Sequence, residues 1–257
     1  MIIATWNINS LRARKDRLLT WLADKRPDVV CLQETKIVDG EFPTAALLEL
    51  GYQSVCVGQR TYNGVAVLSR TAIACVQRGL GDGIEDPQAR FVDARVAGVR
   101  VICVYVPNGA TLDSDKYVYK LAWLGRLRAY LAAKASPEEP LVICGDFNVA
   151  PSAKDVAHPE DWAESVLFHT SARAALAELC TWGLVDVLAD KHPEGGVYSW
   201  WDYRMLGFPR NNGLRLDLIL ATRPLAGRCR AAWVDREARK GKQPSDHAPV
   251  LVDLDLP

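Results

Sequence analysis

The chain has 257 residues, of which 49% are hydrophobic, and this length predicts one domain, residues 1–257, with a large core. The 31 basic residues balance 31 acidic ones, which excludes a protein that coats nucleic acid by bulk charge. Contact with nucleic acid would therefore need a local basic face. The seven cysteines form no CxxC pair, so we expect reduced thiols in a cytoplasmic protein. We expect neither a signal peptide nor contact with a membrane, since the chain opens on the strand-like run MIIATWN.

The predicted elements alternate between helical patterns and short apolar runs. A first helical pattern begins near Leu11 and ends before Pro27. A second follows Ser114, which suits a helix N-cap, and a third runs from about Ser171 to Gly183, a suitable residue after a helix. Runs rich in Val, Ile and Leu predict strands: IIATW, VVCLQ, VAVLS, VRVICVYV, LVICGD, LRLDLIL and APVLVDLDL.

These elements indicate the fold class. Strands dominate, helices are few, and no linker or low-complexity segment divides the chain. The pattern is typical of a four-layered α/β sandwich, in which two packed, mostly antiparallel or mixed β-sheets are flanked by helices.

Acids, amides and one histidine stand at the ends of several predicted strands, where a rigid scaffold presents functional groups. Carboxylate and amide oxygens without thiolates suit a hard cation, magnesium or manganese, and an imidazole beside an acid suits phosphate chemistry. Glu34, Asp146 and Asp246 are candidates to hold the ion, and Asp217 to orient His247. The polar residues at the ends of the predicted strands are Asn7 and Asn9, Gln33 and Glu34, Asp146 and Asn148, Asp217, and Asp246 and His247.

Each acid also has an ordinary structural explanation. An Asp after a strand is usually a turn residue or a helix N-cap, and Asp246-His247 before Ala-Pro fits a turn. Asp217 is harder to explain in this way, because apolar residues flank it and an unpaired buried carboxylate is costly. Residue types and spacing alone leave a metal-phosphoryl site and a set of turn residues both open.

The same segments resemble the exonuclease III family of abasic-site endonucleases, within the endonuclease/exonuclease/phosphatase superfamily. The matching stretches occur in the family's order and extend from end to end of the chain. The long motifs PDVVCLQETK and NNGLRLDLIL are the most specific, whereas GDFN and SDH alone indicate only the superfamily. The stretches are TWNINSLRAR, PDVVCLQETK, TYNGVAVLSR, YVPNG, GDFNVAP, YSWWDYR, NNGLRLD and SDHAPV.

The resemblance implies a role for each matching residue. It implies that Asn7, Glu34 and Asp246 bind the principal metal ion, magnesium or in its place manganese. It implies that Asp146 orients or deprotonates the attacking water. Asn148 and His247 would line the phosphate and take part in a second metal site with Asp146, and Asp217 would be the partner of His247. Tyr105 would lie near the phosphate or leaving oxygen. The implied pocket for a flipped sugar consists of Trp200, Trp201 and Leu214, and the implied contacts with the DNA backbone are Arg12, Tyr62 and Arg90.

These implied contacts have structural alternatives. The two tryptophans would pack in a core, Tyr105 would end a strand, and Arg12 and Arg90 would be solvated. Adjacent residues of an extended segment point to opposite faces, so at most one of Trp200 and Trp201 should face a given pocket. Further candidates for contact with the duplex are Arg14, Lys15, Arg17, Arg204, Arg210, Arg215, Arg239, Lys240 and Lys242, of which the first three also fit a solvated helix face.

The chain departs from the family at a few positions. Asn9 is an amide where animal members often carry an acid, which favours the bacterial branch. Thr111 stands where some relatives carry an arginine, and Val187-Leu188-Ala189 replaces a Thr-Phe-Arg sequence. His169 lies in a region that varies, and it is either a surface residue before a helix N-cap or a group that handles a 3′ terminus.

The resemblance implies a DNA base-excision-repair nuclease that acts as a monomer on double-stranded DNA. Such an enzyme hydrolyses the phosphodiester 5′ of an abasic site to leave a 3′ hydroxyl. It also has possible 3′-5′ exonuclease and 3′-phosphatase activity on blocked 3′ ends. Two alternatives stay open: another enzyme of the superfamily, such as a phosphatase or phospholipase, and a DNA-binding module without activity.

Overall fold

Residues 1–256 are described by a computed structural model, and they form twelve strands in two sheets. The strands, numbered in chain order, are β1 (Ile2–Asn7), β2 (Val29–Gln33), β3 (Gln53–Val57), β4 (Val65–Ser69), β5 (Ile73–Arg78), β6 (Phe91–Val96), β7 (Val99–Tyr105), β8 (Leu141–Asp146), β9 (Leu184–Asp186), β10 (Asp217–Thr222), β11 (Cys229–Val234) and β12 (Val250–Leu254). The helices are α1 (Leu11–Lys25), α2 (Thr44–Glu49), α3 (Asp115–Lys134), α4 (Pro159–Trp162), α5 (Thr170–Cys180), α6 (Val187–Lys191) and α7 (Arg223–Ala226).

Each sheet has six strands and one parallel pair at its centre. The first sheet runs β11-β12-β1-β2-β4-β3, and the second runs β5-β6-β7-β8-β10-β9. The parallel pairs are β1 with β2 and β7 with β8, whereas all other paired neighbours are antiparallel. A parallel pair needs a crossover connection, and α1 and α3 provide it in the two sheets.

Three apolar layers hold the elements together. Side chains such as Val29, Val101 and Ile219 pack between the two sheets. The outer face of the first sheet packs on α1 through residues including Leu18, and the outer face of the second packs on α3 through residues including Leu127. The predicted sandwich of two mixed sheets flanked by helices is confirmed.

The predicted helices are present, but the third ends at Cys180 with Thr181 as its C-cap, so Gly183 is not the residue directly after the cap, and its first turn also needs correction. α1 ends at Lys25, and Arg26 then adopts a left-handed conformation with a φ of 47°. Ser114 caps α3 as expected, because its hydroxyl accepts a hydrogen bond from the amide of Tyr117. The third helix begins at Thr170, and its N-cap is His169 itself, whose Nδ1 accepts the amide N–H of Ser171 at 3.3 Å. His169 therefore does not precede the cap.

Five strands were not predicted: β3, β5, β6, β9 and β11. In the LRLDLIL run, the strand begins at Asp217 rather than at Leu214. Cys75, in the irregular edge strand β5, is exposed, whereas Cys31, Cys103, Cys144 and Cys229 are buried thiols. Within residues 1–256, no helix is long and apolar enough to cross a membrane.

Candidate active site

Strand ends from both sheets bring the predicted polar groups together. Asn7 ends β1, Glu34 follows β2, and Asp146 ends β8. Asp217 opens β10 directly opposite Asp146, and Tyr105 stands opposite Asp146 on the other side. The sheet register therefore places a phenol and two carboxylates side by side.

Asn7 joins the two sheets at this point. Its side-chain nitrogen donates to Glu34 Oε1 at 2.8 Å and to Asp146 Oδ2 at 2.9 Å. Its side-chain oxygen accepts the amide N–H of Asn9 at 3.0 Å. Asn7 is thus a donor between two carboxylates here, and it would have to rotate its carboxamide to offer oxygen to a metal ion.

Glu34 lies between a cation and a phenol. Lys36 Nζ is 2.7 Å from Glu34 Oε2, and the hydroxyl of Tyr105 donates to Oε1 at 2.9 Å. Burial alone would raise the pKa of Glu34, but the Lys36 ammonium and the Asn7 hydrogen bond hold it below its usual range. Burial and the nearby Glu34 charge raise the pKa of Tyr105 well above its usual range, so its hydroxyl stays protonated.

Asp246 is linked to the same centre from the C-terminal side. The indole N–H of Trp200 donates to Asp246 Oδ2 at 3.0 Å, and the Asn9 carboxamide donates to Oδ1 at 2.8 Å. Lys36 Nζ donates to the other end of Asn9, at 2.7 Å from its Oδ1. Burial opposes ionisation of Asp246, yet the His247 charge and the Trp200 hydrogen bond lower its pKa.

His247 is held by a buried carboxylate. Its Nδ1 lies 2.7 Å from Asp217 Oδ2, and its Nε2 lies 3.8 Å from Asp146 Oδ2. The hydroxyl of Ser199 donates to the same Asp217 oxygen at 2.7 Å. Burial works to lower the pKa of His247, but the Asp217 and Asp146 carboxylates raise it to about 10. The imidazole is therefore an imidazolium at neutral pH in the protein alone.

Asp146 and Asn148 form the floor of the site. Burial raises the pKa of Asp146 to about 7, although the His247 charge lowers it. Asn148 donates its amide N–H to Asp146 Oδ1 at 2.8 Å. The side-chain nitrogen of Asn148 donates to the carbonyl of Val106 at 2.9 Å and, with a longer bond of 3.3 Å, to Asp146 Oδ2.

The donor set fits a hard divalent cation. Four carboxylates lie here, Glu34, Asp146, Asp217 and Asp246, and within residues 1–256 the cationic groups that form ion pairs with them are Lys36 and His247. Asp146, Asp217 and His247 each offer an atom within 4.8 Å of the others, but His247 and Asp217 bond to each other. The excess negative charge and the pKa of Asp146, which burial raises to about 7, show that Glu34, Asp246 and Asp146 are groups that could hold a divalent cation.

A family profile for endonucleases, exonucleases and phosphatases matches residues 4–247, which include every group of this centre. The chain belongs to the endonuclease/exonuclease/phosphatase family. Exodeoxyribonuclease III of Haemophilus influenzae is 33% identical over 99% of this chain and 100% of its own length.

Two solved structures are similar to this chain over the whole length of both chains. An AP endonuclease from Archaeoglobus fulgidus superposes with a TM-score of 0.97 at 41% identity, with 100% of each chain covered. A 3′ phosphatase from Neisseria, NExo, bound to a product DNA hairpin, superposes with a TM-score of 0.95 at 42% identity, also with 100% of each chain covered.

The two tryptophans of this family member point in different directions. Trp200 is half-buried, hydrogen-bonds Asp246 and meets the Trp162 ring edge to face at 5.8 Å. Trp201 is 0% exposed and packs against Phe208, so of the two tryptophans it is the one that lies in the core and does not line the implied sugar pocket. Leu214 is buried beneath Trp200 and exchanges main-chain hydrogen bonds with it.

The predicted DNA contacts differ in their accessibility. Tyr62 is 68% exposed, and Arg12 is exposed and paired with Glu41. Arg90 is buried: it stacks on the Tyr105 ring at 4.6 Å and donates to the Tyr105 carbonyl. Arg90 therefore supports the phenol ring of Tyr105, and it lines an open cavity with Tyr62 beside that phenol, so its contact with the DNA backbone stays a prediction.

Two further basic candidates, Arg215 and Arg239, are too deeply buried to contact the phosphates of a duplex. Arg215 is 2% exposed and forms ion pairs with Asp155 and Asp186, at 2.7 and 2.6 Å. Arg239 is buried over the Tyr203 ring. Both are structural residues of this fold, because their charges are enclosed by protein groups.

Sequence reasoning missed several groups of the centre. Lys36, Ser199 and Asn108 each hydrogen-bond a predicted site residue: Glu34, Asp217 and Asn148 respectively. All three stand inside the quoted motifs, ETK, YSWWDYR and YVPNG, so their position in a motif was the available signal.

Proposed function

We propose that this chain is a DNA repair nuclease that hydrolyses the phosphodiester on the 5′ side of an abasic site and leaves a 3′ hydroxyl. The observation that carries the proposal is the buried group formed by His247, Asp217, Asp146 and Asn148 beside Glu34. Similarity over the full chain to an exodeoxyribonuclease III and an AP endonuclease supports it. The chain acts as a monomer on double-stranded DNA, since one chain supplies all these groups.

In the proposed reaction, water attacks phosphorus, and the bond from phosphorus to the leaving 3′ oxygen breaks. Asp146 orients the water and accepts its proton. The imidazolium of His247 and the Tyr105 hydroxyl donate to oxygens on which negative charge develops. Asn148 adds a donor by giving up its longer bond to Asp146. Loss of one such donor typically lowers turnover by about a hundred- to a thousand-fold.

We propose magnesium as the ion of this site, with manganese as a functional substitute. Glu34, Asp246 and Asn7 would hold it, and Asp146, Asn148 and His247 are the groups available to a second ion. When bound, such an ion neutralises charge on the phosphate and on the leaving oxygen. The excess of carboxylates over cationic groups supports this assignment.

Recognition of the abasic sugar is proposed to depend on Trp200 and Trp162, whereas Leu214, which we expected in the same pocket, is 0% exposed and supports Trp200 from the core. A sugar without a base has lost its stacking and pairing, so it flips out of the duplex at lower cost than an intact nucleotide. The half-buried indole of Trp200 borders the catalytic centre through its bond to Asp246. An apolar surface without polar groups for a base favours a bare sugar over a sugar that carries a base.

A second candidate is an enzyme whose main substrate is a blocked 3′ end. The identity to the Neisseria 3′ phosphatase, 42%, is within one percentage point of the identity to the AP endonuclease, 41%. The same hydrolytic groups would serve both substrates, so loops around the centre decide the balance.

One assay tests both candidates. A duplex with a single tetrahydrofuran abasic analogue and a duplex with a 3′ phosphate are each incubated with the protein, with magnesium and with EDTA. We expect magnesium-dependent incision 5′ of the analogue, with a slower removal of the 3′ phosphate. Removal of the phosphate without incision would establish the second candidate, and inactivity on both would refute the proposed function.

A further inference from the structure

A lysine is buried beneath the proposed catalytic centre. Lys120, on α3, is 0% exposed, and within residues 1–256 no carboxylate forms an ion pair with it. Its Nζ donates to three main-chain carbonyl oxygens instead: Asn108 at 3.0 Å, Asn148 at 2.6 Å and Val166 at 2.6 Å. Burial lowers the pKa of Lys120 to about 7, and in the protonated form each of its three N–H donors has one acceptor.

The three acceptors belong to segments that are distant in sequence. Asn108 lies after β7, which ends at Tyr105, and Asn148 lies after β8, which ends at Asp146. Val166 lies in the turn between α4 and α5, which connects Trp162 to His169. The Lys120 ammonium is therefore the point at which the two phosphate-facing loops meet the turn that follows Trp162.

Asn148 depends on this arrangement more than its neighbours do. Its φ is 50°, in the left-handed region that is strained for a residue with a side chain. Asp146 holds its amide N–H, and Lys120 holds its carbonyl oxygen. Asn108 donates to its side-chain oxygen at 3.1 Å. Both ends of the strained peptide and the carboxamide are thus fixed by specific partners.

The loop after β7 is shaped to admit the lysine stem. Gly109 has a φ of +104°, and a Cβ there would lie 3.2 Å from Lys120 Cδ and 3.0 Å from the Tyr117 ring. A side chain at this position would push the loop away from α3. The absence of one lets the Asn108 carbonyl reach the ammonium.

We propose that Lys120 is a positioning residue for the hydrolysis, acting through the peptide and carboxamide of Asn148. This inference rests on the proposed function, because it concerns the same centre. Without the ammonium, three buried carbonyl oxygens lose their donor and the loops shift to regain one from water. The Asn148 carboxamide then leaves the orientation in which it donates to the phosphate.

A double-mutant cycle tests whether Lys120 acts through Asn148. Lys120→Met, Asn148→Ala and the double variant are assayed for abasic-site incision per folded enzyme, well below their melting temperatures. We expect Lys120→Met to lower kcat by about ten- to a hundred-fold, with KM within about threefold of the wild type. In the presence of Asn148→Ala, the same change should cost no more than about twofold. Effects that multiply in the double variant would overturn the proposal.

Two further variants complete the experiment. Lys134→Met changes an exposed lysine of the same helix and should leave kcat unchanged. Lys120→Gln keeps side-chain N–H donors and is used if Lys120→Met does not fold; its smaller loss of kcat should also disappear in the Asn148→Ala background. A wild type inactive on every duplex would refute the proposed function, whereas an active wild type with equally active Lys120 variants would refute this inference alone.

Discussion

The imidazole of His247 and the carboxylate of Asp217 form a hydrogen bond of 2.7 Å in the interior of the protein, where both side chains are buried. Because Nδ1 of His247 faces Asp217, Nε2 faces Asp146 and the substrate side. Asp217 Oδ1 has no partner within residues 1–256, so the His247 charge is the main compensation for this carboxylate. The orientation and the charge of His247 thus have a common cause.

Replacing this carboxylate should therefore impair catalysis more than binding. Asp217→Asn removes the charge that favours the imidazolium and the acceptor that fixes Nδ1. We expect kcat for abasic incision to fall by about a thousand-fold or more, with the Kd for the duplex within a few-fold of the wild type. Single-turnover incision and fluorescence anisotropy measure the two quantities. Asp190→Asn, at an exposed carboxylate, is the control, and a kcat near wild type in Asp217→Asn would contradict the role of Asp217.

The proposed base is tested by the smallest change of its carboxylate. Asp146→Asn keeps the shape of the side chain but cannot accept a proton from water. Incision should become undetectable, while the variant still binds the abasic duplex in magnesium. Turnover like that of the wild type would show that another group deprotonates the water.

The adjacent tryptophans allow a matched comparison. Trp200→Ala should lower abasic incision more than removal of a 3′ phosphate, because it removes a wall of the proposed sugar pocket. Trp201→Ala should instead lower the free energy of unfolding by about 3–5 kcal/mol, as expected for a buried tryptophan. Rates on both substrates and urea unfolding curves measure these effects. Equal losses on the two substrates in Trp200→Ala would indicate core packing at that position as well.

The raised pKa of His247 predicts how stability depends on pH in EDTA. The native imidazole keeps its proton up to about pH 10, whereas the unfolded one, with a pKa of 6.5, releases it earlier. The native state therefore binds more protons between these values, and the stabilisation is complete below pH 6.5 and is lost as the pH rises toward 10. Burial lowers the pKa of Lys120 to about 7, which contributes with the opposite sign over much of this range, so the His247 contribution is measured as the difference in free energy of unfolding between the wild type and Asp217→Asn.

Asp217→Asn provides the control for this pH dependence. The variant lacks the carboxylate that raises the His247 pKa most, so the His247 contribution to its stability should change less between pH 6.5 and pH 10. The stability advantage of the wild type over Asp217→Asn should fall between pH 6.5 and pH 10, and an advantage that rises with pH in EDTA would contradict the assignment of the charge to His247.

The strands that the sequence failed to predict have a physical explanation. β6 contains Asp93 and Arg95 between apolar residues, so its run reads as interrupted. Asp93 is nevertheless buried, since Arg100 of the next strand pairs with it at 2.6 Å and Tyr130 donates to it from α3. Such a partner comes from elsewhere in the fold, and no local pattern of hydropathy reports it.

The same distinction applies to the candidate site: local sequence predicts some of its residues, whereas contacts with distant segments determine the others. The strand-end positions of Asp146 and Glu34 follow from short apolar runs, which local sequence reports well. The burial of Trp201, by contrast, depends on Phe208, in the loop that follows. Lys120 shares a helix face with Tyr117 and Leu124, so the periodicity places it inside, but the carbonyls that accept its hydrogen bonds come from three separate segments.

The bond between Ser245 and Asn7 has a consequence for protein synthesis. The Ser245 hydroxyl donates to the Asn7 carbonyl at 2.7 Å, and the Trp6 indole donates to the His247 carbonyl at 3.3 Å. A chain still emerging from the ribosome holds Asn7 and Glu34 long before it holds His247. Hydrolytic competence therefore requires the segment that carries Ser245 and His247 to pack against β1, so a chain that has not yet reached His247 is inactive. A protease that removes the segment from Ser245 onward would inactivate the enzyme, because it would remove His247 and Asp246.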